Sequence, residues 1–546
     1  MPAFQVERRF PRRPRPIPGL RLDRDVPVRM RDGTRLMANV FRPAADGRYP
    51  VVLSVSPYGK DALPPGDYRL FRLLGMDVGT IPASDFAAFE APDPAFWVPE
   101  GYVVVHANTR GMWNSDGRAT WLSPQDAQDY YDIIEWAAAQ PWSTGRVGLS
   151  GVSYLAMSQW AVAALNPPHL AAIMPWEGVS DMYREFAFHG GIRETGWVPT
   201  FWKRRYRAHH NPALPLAEDL LDEIQRHPLD DAYWAGKRPD LSRITAPALV
   251  CTSWSDQGLH TRGSLEGFRR IGSEHRWLYT HGRRKWETYY SSEARSLQLR
   301  FFDCFLKGAD NGMIDVPSVR LEVRRGFLAQ DVRWEPNWPP AGSANRRLYL
   351  DAGMGRLSES PAEDEASVTY AAAGSAAGPV RAEFVIRFDR DTEVTGGMRL
   401  RLWVAAEEAD DADLFVGIEK LDPAGALIGF AGMFIRDEVV AKGWLRLSHR
   451  EVDDERSTDT QPWHPHRRLL KVSPGEPVAA DIELLPSSTL FEAGAALRLV
   501  VQGRELRDYP AFGHDDLVNR GRHRLLTGGR YDACLVLPVV EPVESH

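Results

Sequence analysis

The feature that most constrains the fold is a change of hydrophobic period partway along the chain. Up to about residue 308, short apolar runs alternate with segments of helical period; from about 316 onward, apolar residues recur at every second position. The first pattern calls for a parallel sheet covered by helices, because each parallel connection must cross back over the sheet. The second calls for a β-sandwich of jelly-roll type, in which each strand buries one face. The 546 residues leave room for both and for an insertion, at about 100–200 residues per domain.

Within the first part, VPVRMRDGTRLMANVFRP predicts a hairpin turning at Asp32-Gly33. YPVVLSVS, ending at Ser56, and the run from Gly101 to Gly111 read as buried strands. Residues 123–140 carry apolar positions at helical spacing, with Ser123, Pro124 and Asp126 as an N-terminal cap. A strand at 146–151, a helix at 153–165 and a strand at 170–176 follow. From about 180 to 240 the alternation breaks into an aromatic, charged, helix-prone stretch. It resumes with strands at 246–254 and 276–280 around a helix at 260–271, and closes with a helix at 291–308.

Composition narrows the function classes. The formal net charge of −7 offers no basic surface for nucleic acid or an anionic membrane. No apolar run approaches the roughly 18 residues that span a bilayer. Three cysteines without a CxxC pair form neither a disulfide framework nor a zinc site, which fits a cytoplasmic protein. His464-Pro465-His466 lacks a third ligand nearby, so no metal and no other cofactor is expected. The N-terminal arm, residues 1–22, carries Arg8, Arg9, Arg12, Arg13 and Arg15 among its prolines. It lacks the apolar core of an export signal and reads as a stiff surface arm.

The chemistry concentrates at Gly151-Val152-Ser153-Tyr154-Leu155-Ala156, at a strand-to-helix junction. A serine there stands on a strained turn with its hydroxyl above the sheet, the nucleophile elbow of α/β-hydrolases. Ser150 lies inside the strand and is set aside. In such folds the acid and then the base follow the serine along the chain. Asp256, just beyond APALVCTSW, is expected to be the acid. Among 15 histidines, His260 opens a helix and His275 sits on a polar turn before the last strand. His281 directly follows RWLYT and is expected to be the base. The backbone N–H of Tyr154 and the phenol of Tyr58, in Pro57-Tyr58-Gly59, are the candidate oxyanion donors.

With these residues in place, the chain resembles the X-prolyl dipeptidyl-peptidase/cocaine esterase/α-amino-acid ester hydrolase family. The resemblance rests on MRDGTRLMANVFRP, SPYGK, NTRG with SDG at 115–117, the run from Asp126 to Ala156, SWSD and FFDCFLKGADNG. In the tail, DTEVTGGMRLRLWV, DADLFVGIEKLDPAG and GWLRLSHR also match. It implies an α/β-hydrolase core (23–180 and 241–315), an inserted helical cap (181–240) and a C-terminal jelly roll (316–546). It further implies hydrolysis of esters or amides through an acyl-enzyme, with Ser153, Asp256 and Tyr58 matching the nucleophile, acid and oxyanion tyrosine. Two departures stand out: Ala156 replaces a frequent glycine, and the usual Gly-Pro-Trp-x-His context of the base is replaced by THGRRKWETYY.

The substrate is expected to be a small acyl ester or amide. Trp197 and Trp202 in the cap are candidate pocket walls, and Glu177 and Asp181 candidate partners for a substrate ammonium, against the plainer reading of cap core and internal salt bridges. Three function classes remain in play: a carboxylic-ester hydrolase, an X-Pro dipeptidyl-peptidase or amide acylase on the same site, and a non-catalytic binding module built on the jelly roll. The intact order Ser–Asp–His favours an enzyme, and no dipeptide-anchoring sequence is visible, which favours esters. Homo-oligomerisation is left open by the sequence.

Overall fold

A computed structural model describes residues 17–61, 64–73, 75–374, 379–509 and 511–541. Most of the arginine-rich arm lies outside the described residues, and its last three positions belong to the first strand.

The sheet of the first part contains β1 (Leu20–Arg29), β2 (Arg35–Pro43), β3 (Tyr49–Ser56), β4 (Val103–Asn108), β5 (Ser143–Val152), β6 (Leu170–Trp176), β7 (Ala248–Ser253) and β8 (Arg276–His281). Their spatial order is β1-β2-β4-β3-β5-β6-β7-β8; β1, β2 and β4 pair antiparallel and every later pairing is parallel. The β1–β2 hairpin turns where the Asp-Gly pair predicts. Gly33 has φ +86°, and the Asp32 carboxylate accepts the Thr34 N–H at 3.0 Å. β4 is buried along its whole length, as a strand covered on both faces must be. Alternate residues accordingly enter different layers. Val51 and Leu53 join the apolar cluster holding Ile133 and Ile134, whereas Val52 and Val104 join the one holding Leu155 and Phe302.

Four helices set the layers: α1 (Pro124–Ala138), α2 (Tyr154–Ala163), α3 (Thr261–Arg270) and α4 (Ser292–Phe302). The capping box at the start of α1 is complete, with Ser123 and Asp126 bonding reciprocally. After α4 the chain passes through one wider turn, Asp303–Lys307, and stops at Gly308, whose φ of +71° suits glycine. Between β6 and β7 the inserted segment forms short helices, among them Trp197–Phe201, Leu220–Arg226 and Ala232–Ala235.

The rest of the chain is a β-sandwich. Its longest pair, Thr392–Ala406 against Val478–Phe491, shows the two-residue period directly: Met398, Leu400, Leu402 and Val404 enter the core. The strand Val319–Gly326 runs parallel to β8, pairing Leu278 with Val319, so the sheet continues from the first part into the second. The architecture is thus an α/β-hydrolase core with an inserted cap and a C-terminal jelly-roll sandwich.

Ile134 is fully buried between sheet and helix, so Ile134→Ala is expected to cost about 2–5 kcal/mol. Ser123→Ala, which removes the cap of α1, should cost about 1 kcal/mol. Urea unfolding followed by circular dichroism measures both.

Candidate active site

Ser153 is the residue between β5 and α2, with φ 60° and ψ −118°. A non-glycine residue there is strained and must be held by its surroundings. Its N–H faces the carbonyls of Trp176 and Glu177, both at 3.1 Å, which ties the turn to the end of β6. A Cβ at Gly151 would lie 2.5 Å from the Leu155 Cβ, so glycine is required at that position. Ala156 meets the backbone near Gly178 closely: a Cβ on Gly178 would stand 2.9 Å from its methyl group.

The imidazole beside this hydroxyl is that of His260. Its Nε2 lies 3.1 Å from Ser153 Oγ, and its Nδ1 lies 2.5 Å from Asp256 Oδ2. The loop after β7 explains the pairing. The N–H groups of Leu259, His260 and Thr261 all reach back to the Asp256 carbonyl, making a helical turn that sets positions 256 and 260 on one side. Gln257 clamps this loop to the sandwich: its side chain donates to the Val440 carbonyl at 2.8 Å and accepts from the Lys442 N–H at 2.9 Å.

His281, expected to be the base, is placed elsewhere. It is the last residue of β8, in register with Ser253, and is fully buried. Its Nε2 donates to Glu177 Oε1 at 3.0 Å, since its Nδ1 accepts the Arg283 N–H at 3.2 Å. Both ring nitrogens of His281 are thus engaged, and the hydrogen bond to Ser153 Oγ is made by His260. The D-x-x-x-H spacing of Asp256 and His260, one helical turn, is the sequence signal for this pairing, although His260 opens a helix rather than following the last strand.

Asp256 and His260 are both buried, and Lys285, which opens the short helix Lys285–Tyr289 after β8, joins them, its Nζ 2.6 Å from Asp256 Oδ2. Burial would raise the Asp256 carboxyl, but Lys285 and His260 hold it well below the usual range, so it is ionised. Burial and the Lys285 charge lower His260, which keeps the imidazole neutral and able to accept a proton.

Tyr58 follows β3 and is buried against Phe89, Tyr154 and Phe201. Burial, then Glu90, drives its phenol well above the usual range, so it remains a donor; it interacts with the Ser153 side chain and the Tyr154 backbone. Nearby Glu90 is pushed up to about 8 by burial; one oxygen accepts from the Trp286 indole at 2.9 Å, and Oε2 has no partner among the described residues.

Three of the four expected pocket residues are otherwise engaged. Glu177 accepts from Ser253 Oγ at 2.6 Å as well as from His281. Asp181 pairs with Arg184 at 2.9 Å and Arg238 at 2.8 Å, so it is spent on internal ion pairs. Trp202 is fully buried, stacked on Tyr206 at 4.3 Å, and serves the cap core. Trp197 is half-buried against Phe201, Phe434 and Phe512.

Residues 32–284 match the X-Pro dipeptidyl-peptidase (S15 family) profile, and residues 311–536 match the X-Pro dipeptidyl-peptidase C-terminal non-catalytic domain. Among curated relatives, a cocaine esterase of Rhodococcus sp. (strain MB1 Bresler) is 28% identical over 63% of this chain, the match spanning 66% of that relative's own length. A putative serine esterase of Mycobacterium tuberculosis is 24% identical, over 94% of this chain and 95% of its own. The crystal structure of a CocE/NonD family hydrolase from Staphylococcus aureus is 44% identical with a TM-score of 0.91, covering 95% of this chain and 93% of that one. A likeness of this degree, over both parts of the molecule, places the chain in the CocE/NonD family of serine hydrolases.

Proposed function

We propose that the protein hydrolyses small carboxylic esters through an acyl-enzyme on Ser153, with His260 as base and Asp256 as acid. The observation that carries this reading is the continuous relay from Asp256 Oδ2 through both ring nitrogens of His260 to Ser153 Oγ, at 2.5 and 3.1 Å. Ser153 Oγ attacks the acyl carbonyl while His260 Nε2 takes its proton. Asp256 holds the tautomer with Nδ1 protonated and stabilises the imidazolium. The imidazolium then protonates the leaving alcohol; water, deprotonated by the same nitrogen, attacks the acyl carbonyl, and the proton passes to Ser153 Oγ as the acid is released. The Tyr58 phenol and the Tyr154 N–H are the proposed donors to the tetrahedral oxyanion. We take the cap, 181–240, as the cover of this site, a reading supported by the packing of Phe201 on Tyr58 at 5.9 Å. Trp197 stays a candidate wall of the acyl pocket.

The ester reading is favoured over the peptidase reading because Glu177 and Asp181 are already paired and offer no free anchor for a substrate ammonium. Turnover of p-nitrophenyl acyl esters against X-Pro p-nitroanilides decides between them; faster anilide cleavage would reverse the assignment. A cytoplasmic setting is our reading from the free cysteines Cys251, Cys304 and Cys534. No helix among the described residues is long and apolar enough to cross a membrane.

Ser153→Ala is expected to lower turnover by about 10⁶ and to abolish labelling by a fluorophosphonate. His260→Ala should lose at least about 10⁴, whereas His281→Asn should still label at Ser153 within about tenfold of the parent rate. Equal losses at positions 260 and 281 would return the base to His281. Tyr58→Phe should lower turnover by about 10²–10³ with Ser153 still reactive. Because burial and Lys285 lower His260, the acid limb of kcat/KM should have its midpoint below the free-imidazole value of about 6.5. A midpoint above 7 in a pH series would contradict this.

A further inference from the structure

Resting on the assignment of Asp256 and His260 as the acid–base pair, we propose that Lys285 is a positioning residue of that pair. Its ammonium is the second donor to the one Asp256 oxygen that orients His260, and it sets the pH range over which the imidazole can act as base. Lys285 Nζ lies 2.6 Å from Asp256 Oδ2 and 3.0 Å from His260 Nδ1. The imidazole and the ammonium thus share Oδ2, while Asp256 Oδ1 has no partner among the described residues. Without Lys285 the carboxylate would be buried with a single partner, a costly state for an ion.

The shared oxygen has two consequences. First, a carboxylate kept ionised by an ammonium holds the proton on Nδ1, leaving the Nε2 lone pair for Ser153. Since Nδ1 carries that proton, the ammonium cannot donate to it, and its 3.0 Å approach is unfavourable to the imidazolium. Second, the neighbouring positive charge opposes protonation of His260 and so keeps the base free at lower pH. The charged groups facing His260 come from separate elements: Asp256 after β7, Lys285 after β8 and Glu177 after β6. Lys285 itself is buried, and Asp256, Glu177 and Glu90 counter the burial penalty and keep it protonated.

The test is the pH profile of kcat/KM for Lys285→Gln and Lys285→Met, alongside Ser153→Ala. Gln retains a donor to Asp256 without the charge; Met removes both. Both variants should move the acid limb to higher pH by about one to three units. Met should in addition lower kcat below that of Gln, and Lys285→Arg should restore the parental limb. A purely structural lysine would lower yield or stability and leave the limb in place. An unmoved limb in Lys285→Gln, with Ser153 still labelled, overturns the proposal while leaving the triad intact. An active Ser153→Ala would instead overturn the triad itself. Should Lys285→Met fail to fold, the Gln profile decides alone.

Discussion

The carboxylate of Glu177 ties together the ends of three parallel strands, and the reactive turn is built over it. Glu177 follows β6, accepts from Ser253 at the end of β7 and from His281 at the end of β8, and is wholly buried. Its own carbonyl, together with that of Trp176, faces the N–H of Ser153. The positive φ of Ser153 would relax in an isolated chain; here the strand ends on one side and α2 on the other leave no space for it to do so. Glu177 pays with a positive φ of its own, 52°.

Above this base the site sets buried titratable side chains among aromatic rings. Asp256 and Lys285 face each other at 2.6 Å, His260 lies neutral between the pair and the serine, and Glu90 borders the phenol of Tyr58. Buried ions cost free energy unless paired, so such a constellation persists where orientation rather than stability is the gain. The low local polarisability strengthens each of these interactions and makes small displacements costly for turnover.

The sandwich takes part in this orientation. Gln257, one residue past the acid, is held by the backbone at Val440 and Lys442, so the loop bearing Asp256 and His260 is fastened from the second part of the molecule. Arg324, buried on the strand that extends the hydrolase sheet, donates to the Val440 carbonyl at 2.7 Å and to Ser487 Oγ at 2.6 Å. The geometry of the candidate site in the core therefore depends on contacts more than 180 residues away in sequence.

Much of this was legible in the residues themselves. Periods of two and 3.6 gave the strands and helices because burial of one face or both is a local property of a segment. The turn at Gly151-Val152-Ser153 was readable because only small neighbours permit it, and Asp256 because an acid must follow a buried strand. The places of His260 and Lys285 are not legible in the sequence, since which imidazole reaches the serine depends on how the segments after β7 and β8 meet in space. The loop in which the resemblance called for a histidine supplies a lysine, and the histidine comes from one helical turn beyond Asp256. Sequence alone determined the segments, their order and the strained serine turn, since these follow from local backbone and burial preferences. Only the tertiary structure decided which imidazole lies beside Ser153 and which cation beside Asp256, because proximity across separate strands is fixed by packing and not by spacing along the chain.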